Sequence, residues 1–352
     1  MKNIKQLLEH IEYHILQGSI EGEITELVYD SRKAVEGCMF VCIKGASFDG
    51  HTYAAPVADV GAKVIVVSDE VEVRSDVTVI RVADTRETLA YLSAAYFDHP
   101  ADELKVIGIT GTKGKTTTTY LLKSILEKAG MKCGLIGSTG SMIGTRHMEG
   151  KLTTPDPIDL QKTLRQMADE GVQVVCMEVS AHAIDMNRLD GMTFEVGCYT
   201  NLSQDHLDYF YTMERYFETK KRFFTSGMVR NAAVNADDET TERLQEGLDL
   251  PFITYGIAMK ADVFARDIEI TEEGVHFTVQ MQGMEDLRVG MRMTGMFNVY
   301  NALAASSCAL ILGIEPAKIC EGLEAVASVP GRIEMLQTGT PYKVILDYSH
   351  AP

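Results

Sequence analysis

Between Gly108 and Gly130 the chain reads GITGTKGKTTTTYLLKSILEKAG: an apolar strand, a glycine-rich turn and an amphipathic helix. Small residues in such a turn let backbone N–H groups face an anion, and the helix N-terminus adds the positive end of its dipole. Lys115 can reach terminal phosphates and Thr116 can ligate Mg²⁺. The common spacing G-x-x-x-x-G-K-[ST] is not met, because Ile109 stands at its first glycine; the form here is Gly108-x-x-Gly111-x-x-Gly114-Lys115-Thr116. A variant phosphate loop is expected, and an ordinary βα turn with a capping threonine is the alternative.

Two further polar clusters follow apolar runs: MEVSAHAIDMNR (177–188) after QVVC, and TNLSQDHLDYF (200–210) after EVGCY. If those runs are strands of one parallel sheet, both clusters open on the edge that carries the phosphate loop. Glu178 and His206 then offer an oxygen and a nitrogen donor for a Mg²⁺ between nucleotide and acceptor. The plainer alternatives are an ion-paired glutamate and a capping histidine.

The elements that must position these residues are legible as alternation. From Ile24 to Val82, β-type runs (38–43, 63–67, 78–82) alternate with helical patterns such as Tyr53–Val60, the mark of an α/β module. A helix over 85–97 ends before His99-Pro100, which places a domain boundary near residue 100. Strand, glycine turn and helix then repeat: 104–109 and 116–130, CGLIG and 157–171, QVVCMEV, then EVGCYTNL and 212–224. A doubly wound, mostly parallel sheet is built this way. Residues 262–293 read as an antiparallel strand set on its edge, 298–313 and 315–326 as helices, and YKVILDYSHAP as a strand entering a loop. MKNIKQLLEHIEYHIL places Leu7, Leu8, Ile11 and Ile15 at helical spacing, which predicts an amphipathic N-terminal helix rather than a signal peptide.

Composition narrows the class. With 33 Lys+Arg against 50 Asp+Glu, the 352-residue chain carries a formal charge of −17, so no global basic field exists for nucleic acid or anionic lipid. The charge-free stretch 293–314 is interrupted by Asn298, Asn301, Ser306 and Ser307, which favours a buried helix over a membrane span. Seven scattered cysteines without a C-x-x-C pair read as reduced, buried thiols of a cytoplasmic protein.

GTKGKTT (111–117), TTPDP (153–157), MEVSAHAIDMNR, NLSQDHLDYF, TMERYFETKKRFF (212–224), GMFNVYNALAA (295–305) and VPGRIE (329–334), in this order, closely resemble the Mur ligases. Within the family the likeness is to the branch that adds the third residue of the peptidoglycan stem peptide. The resemblance implies an N-terminal α/β UDP-binding domain (1–99), a central P-loop-type ATP-binding domain (100–331) and a stub (332–352) of a Rossmann-like C-terminal domain. The substrates it implies are ATP, a UDP-N-acetylmuramoyl-dipeptide acceptor and a diamino acid, either meso-diaminopimelate or L-lysine. The protein is expected to act as a monomer, with no nucleic acid or membrane partner.

By the same resemblance, ATP sits on Gly111, Thr112, Lys113, Gly114, Lys115, Thr116 and Thr117, with Mg²⁺ on Thr116 and Glu178. His206 holds a second Mg²⁺ near the γ-phosphate, and Lys220 aligns with a lysine carbamylated by CO₂, a group that can bind metal; Lys221 adjoins it, and either could be a solvated helix lysine. Asn298 and Asn301 match the adenine side, and Arg332, Asp347 and His350 the nucleotide side; helix N-capping is the alternative for the asparagines. Thr153, Thr154, Ser180 and Arg188 match contacts to the muramoyl-peptide acceptor. Ser31, Arg32, Asp49, Gly50 and His51, in DSR and KGASFDGHTY, match the segment that holds UDP.

The chain departs from the family pattern in three places. Lys113 replaces a usual asparagine, Met186 stands where an amide is common, and Phe210-Tyr211 follows DHLDY where His-Gly often does. The arginine-containing motif of the third domain is not in the chain, so binding of ATP and acceptor with weak or no complete ligase activity is expected. A folylpolyglutamate or cyanophycin-synthetase type of ligase generally lacks the UDP-binding first domain; a non-catalytic nucleotide-dependent module would not need Lys115, Thr116, Glu178, His206 and Lys220 together.

Overall fold

The computed structural model describes residues 1–45, 48–336, 339 and 344–348. It divides into two units: Met1–Asp102 with Asp156–Gln166 and Met186–Met192, and Glu103–Pro155 with Met167–Asp185 and Thr193–Pro352.

In the first unit Lys2–Asn3 (β1) leads into Ile4–Leu7 (α1) and His14–Gln17 (β2), and Glu23–Ile24 (β3) pairs back on β1. The remaining elements are Leu27–Val28 (β4), Met39–Val41 (β5), Ala54–Val60 (α2), Val64–Val67 (β6), Thr78–Arg81 (β7) and Thr85–Tyr96 (α3). Their sheet runs β2-β7-β6-β5-β4, parallel except for β2 at its edge. Successive strand residues point to opposite faces. Val64, Val66 and Ile80 therefore enter a core with Ile4, Leu89 and Leu92, whereas Ile65, Val67 and Val79 enter another with Cys38, Phe40 and Val57.

The N-terminal helix is shorter than its spacing predicts. It stops at Leu7, and Ile15, which continues the helical pattern on paper, lies 45% exposed on β2. A four-residue helix is weakly favoured by itself, whereas pairing β2 to β7 satisfies backbone groups that a sheet edge would leave open.

The second unit contains Lys105–Thr110 (β8), Lys115–Lys128 (α4), Cys133–Gly137 (β9), Gly140–Ile143 (β10), Arg146–Met148 (β11), Val174–Glu178 (β12), Ala181–Asp185 (α6) and Val196–Tyr199 (β13); Pro157–Asp169 (α5), which precedes β12 in the chain, belongs to the first unit as far as Gln166. It continues through Leu207–Phe210 (α7), Met213–Thr225 (α8), Ala232–Asn235 (β14), Thr241–Gln245 (α9), Phe252–Gly256 (β15), Val263–Ile270 (β16), Val275–Met281 (β17) and Leu287–Met291 (β18). Met296–Ile311 (α10) and Pro316–Ala325 (α11) follow, then Glu334–Leu336 (β19) paired antiparallel with Val344–Leu346 (β20).

One sheet runs β11-β10-β9-β12-β8-β13-β14-β15-β16-β17-β18. Strands β9 to β16 of that order pair in parallel, and β16, β17 and β18 form the antiparallel set expected from 262–293. The chain leaves β8 toward β9 and leaves β13 toward β14, on opposite sides, so the carboxyl ends of β8 and β13 flank a topological switch point, where such sheets bind ligands. Helix α10 is the buried helix expected from its composition: Ala302–Ala305 and Cys308 are core, and Ser307 spends its hydroxyl on the Leu303 carbonyl, 2.8 Å away. Among the described residues no helix is long and apolar enough to cross a membrane. All seven cysteines are free, and all but Cys320 are buried.

Candidate active site

The turn after β8 is shaped by two glycines. Gly111 has φ +142° and Gly114 φ +88°, and a Cβ would run into Thr200 Oγ1 at the first and Asn301 Oδ1 at the second. Only glycine combines that backbone with that approach. The turn is also gripped from the end of β13. Thr112 N–H donates to the Asn201 carbonyl (2.9 Å), Lys113 N–H to Asn201 Oδ1 (3.0 Å), and Thr200 Oγ1 and Asn201 Nδ2 donate to the Lys113 carbonyl (2.7 and 3.0 Å). Gly114 starts α4 without a side-chain cap, and the first helical bond runs from Thr118 N–H to the Gly114 carbonyl. The N–H groups of Lys115, Thr116 and Thr117 thus have no partner within the helix, which suits an anion.

Lys115 curls over this turn, its Nζ 2.8 Å from the carbonyls of both Gly111 and Thr112. Burial pulls its ammonium below the usual lysine range, with Glu178 opposing the shift. Lys113, in contrast, is exposed.

Behind the turn, Thr116 Oγ1 donates to Glu178 Oε2 (3.0 Å), while Ser138 donates to Glu178 Oε1 through its N–H (2.8 Å) and hydroxyl (3.0 Å). Register explains the meeting: Glu178 ends β12 opposite Ile109, and Ser138 follows β9, the strand on the other side. Glu178 is only 1% exposed, so these donors replace the water it has lost. Arg332 Nη2 also donates to Thr116 Oγ1, 3.0 Å away. The set fits Mg²⁺: a hydroxyl and an oriented carboxylate are hard oxygen donors, and the place already draws a guanidinium. Ser138 escaped the sequence reading; the available signal was a serine directly after a strand neighbouring β12.

Lys220 projects from α8 into the interior, 1% exposed. Its Nζ donates to the Gly111 carbonyl (2.9 Å) and lies 4.5 Å from the centre of the Tyr216 ring, one turn earlier on α8. Burial, then the charge of Lys115, hold its ammonium well below the usual range, against Asp205. Tyr216 is the second residue the sequence reading missed, although i,i+4 spacing to Lys220 was visible. Its hydroxyl meets Thr112 Oγ1 at 3.3 Å, and burial pushes its phenol up to about 12. His206 stands at the start of α7 with φ +53°, its ring 4.9 Å from that of His182 and 6.1 Å from that of Tyr216. No hydrogen bond among the described residues joins it to Glu178 or Thr116.

Asn298 and Asn301 are buried on α10, with Asn301 Nδ2 donating to Asn298 Oδ1 (3.1 Å) and Asn298 Nδ2 to the Thr294 carbonyl (2.8 Å). Neither caps the helix, whose start is Gly295. Asp347 accepts from Ile333 N–H (2.7 Å); His350 lies outside the described residues. Thr154 Oγ1 donates to the Glu178 carbonyl (2.8 Å) and accepts from Ser180 N–H (3.0 Å), Ser180 Oγ accepts from Ala183 N–H, and Thr153 is half-buried.

The other predicted residues belong to the first unit. Arg32 forms a two-pronged pair with Asp30, Nε to Oδ1 at 2.9 Å and Nη2 to Oδ2 at 2.8 Å, in the 3₁₀ turn Ser31–Lys33. Asp49 caps the turn Gly50–Tyr53 and bonds His51 Nδ1 (2.6 Å), whose Nε2 accepts from Ser68 N–H (3.0 Å). Arg188 Nε lies 3.1 Å from Asp156 Oδ1.

A phosphate turn at a switch point, backed by an oxygen-donor pair and a buried lysine, defines a nucleotide-dependent enzyme. Residues 109–309 match the Mur ligase middle domain and residues 23–97 the Mur ligase family catalytic domain. The chain belongs to the Mur ligase family and is an ATP-dependent acid–amino-acid ligase. It is similar to the UDP-N-acetylmuramoyl-L-alanyl-D-glutamate–2,6-diaminopimelate ligases of Clostridium perfringens, 38% identical over 99% of this chain and 72% of the relative, and of Clostridium botulinum, 40% identical over 99% and 73%. A solved structure of an enzyme of the same name superposes with a TM-score of 0.84 at 25% identity, covering 96% of this chain and 69% of the other.

Proposed function

We propose that the chain serves the ATP-dependent joining of a diamino acid, 2,6-diaminopimelate, to UDP-N-acetylmuramoyl-L-alanyl-D-glutamate in peptidoglycan synthesis. The observation that carries this reading is the convergence on Gly111–Thr117 of Lys115, Lys220 and the Thr116–Glu178 pair. The names of the relatives support the choice of acceptor and amino acid.

The helix N–H groups and Lys115 hold the terminal phosphates of ATP. Asn298, Asn301, Arg332, Asp347 and His350 are assigned to the nucleotide; Thr153, Thr154, Ser180 and Arg188 to the acceptor peptide; and Ser31, Arg32, Asp49, Gly50 and His51 to UDP. Mg²⁺ held by Thr116 and Glu178, with a second on His206 and carbamylated Lys220, would neutralise charge that develops on the phosphate oxygens. A D-glutamyl carboxylate oxygen attacks the γ-phosphorus and ADP leaves, giving an acyl phosphate. The amine of the amino acid then attacks the acyl carbon, loses a proton and expels phosphate as the amide forms. No protein nucleophile is needed, so positioning and charge carry the catalysis.

Acceptor labelled with ¹⁸O in the D-glutamyl carboxylate tests the route. One label atom is expected in the phosphate released; unlabelled phosphate formed together with amide would overturn the acyl-phosphate step.

A further inference from the structure

Within the first unit, the arginine assigned to the acceptor is held by a relay that the reaction scheme does not use. Asp156 stands at the start of α5, where its carbonyl accepts from Leu160 N–H (2.8 Å) and Pro157 follows at the first helical position. Its backbone is therefore fixed. Each carboxylate oxygen has its own partner: Oδ1 faces Arg188 Nε at 3.1 Å, and Oδ2 accepts from Tyr29 OH at 2.9 Å. The Arg188 side chain is 14% exposed and that of Asp156 30%, so the pair is largely withdrawn from water. Burial and the Asp156 charge raise the Tyr29 phenol far above its ordinary value, which keeps its proton on the oxygen and donating.

We infer that Asp156 and Tyr29 are positioning residues for the acceptor, acting through Arg188. The inference rests on the reading of Arg188 as an acceptor contact. A guanidinium recognises a carboxylate or phosphate through the direction of its N–H groups, so affinity depends on the plane in which it is held. Asp156 fixes that plane by taking the Nε edge. Tyr29 fixes Asp156 in turn, because a carboxylate tied at one oxygen only can pivot about its Cβ–Cγ bond. The loop bearing Arg188 has a second anchor in the same unit, Asn187 Nδ2 at 3.5 Å from Asp84 Oδ2, so the carboxylate's task is orientation more than tethering.

Calorimetry with UDP-N-acetylmuramoyl-L-alanyl-D-glutamate decides the matter through a double-mutant cycle. Arg188→Met is expected to weaken acceptor binding about 100-fold and Asp156→Asn about tenfold, the range for hydrogen bonds to charged groups. Tyr29→Phe, which keeps the ring and removes only the hydroxyl, is expected to weaken it about threefold. In the Arg188→Met background neither further change should matter, while ATP affinity stays at the wild-type value throughout. Asp156→Asn and Tyr29→Phe losses that persist undiminished without Arg188 would overturn the relay. So would wild-type affinity in both variants while Arg188→Met binds weakly, and the acceptor reading of Arg188 would then still stand. If Arg188→Met itself binds the acceptor like wild type, that reading falls and the relay with it.

Discussion

Lys115 and Lys220 donate to one carbonyl oxygen, that of Gly111, at 2.8 and 2.9 Å. Two ammonium groups on a single acceptor repel each other, and each is also desolvated. Burial lowers the proton affinity of both, and the charge of Lys115 adds to that effect at Lys220; Lys115 is the one that lies over the phosphate turn.

Lys115→Ala is therefore expected to weaken ATP binding by about 100-fold, the loss of charge-assisted contacts to phosphate. Unaltered affinity in calorimetry would remove the phosphate-loop assignment.

Lys220 is expected to add CO₂. The uncharged amine is the form that reacts, burial favours that form at Lys220, and the product places an anion beside Lys115. With ¹³C-bicarbonate, a carbamate resonance should be present in the wild type and missing from Lys220→Arg, whose guanidinium stays protonated. No such resonance at saturating bicarbonate would count against the modification.

Glu178→Gln keeps the size of the side chain but removes its charge. The Mg²⁺ concentration needed for half-maximal ATP binding should rise at least about tenfold, and Ser138→Ala should raise it less, by loosening the carboxylate. An unchanged Mg²⁺ requirement in Glu178→Gln would move the metal elsewhere.

Acid stability supplies a test in the first unit. The Arg32 guanidinium holds the Asp30 carboxyl at about 2, below the model-compound value of 3.8. A depressed carboxyl contributes stability that is present above its unfolded value and lost as pH falls through about 2. Asp30→Asn should flatten the fall in denaturant midpoint between about pH 4 and about pH 2; salt should shrink the difference, since Arg32 is exposed. Parallel profiles for the two proteins would contradict the pairing.

How much of this could be read beforehand depended on the kind of information each feature needs. Strands β8, β9, β12 and β13 and helices α4, α5 and α8 were visible because apolar runs, glycines and helical periodicity are local signals. The β10–β11 hairpin was not, since GSMI and RHM lack a β-type pattern and pair because β9 offers them an edge. The assignment of 156–166 and 186–192 to the first unit was equally invisible, being purely tertiary. At the site, the motif order pointed to Lys220, but composition could not separate it from Lys221. One residue on a helix is a 100° turn: Lys220 enters the core, whereas Lys221 Nζ bonds the Arg243 carbonyl at the surface. Ser138 and Tyr216 do their work through neighbours across the sheet and along α8, so neither announced itself as a motif.

The free thiols give the two units separate reporters. Cys38 and Cys42 are sealed in the first, and Cys133, Cys176, Cys198 and Cys308 in the second; burial raises the proton affinity of Cys38, Cys42, Cys133 and Cys176, and Cys320 alone is partly accessible. A thiol reagent should therefore label Cys320 first, slowly because burial pushes its thiol up to about 11, and the others only as each unit opens. The rates at Cys42 and Cys176 would read local unfolding of the two halves in a single experiment, without any engineered probe.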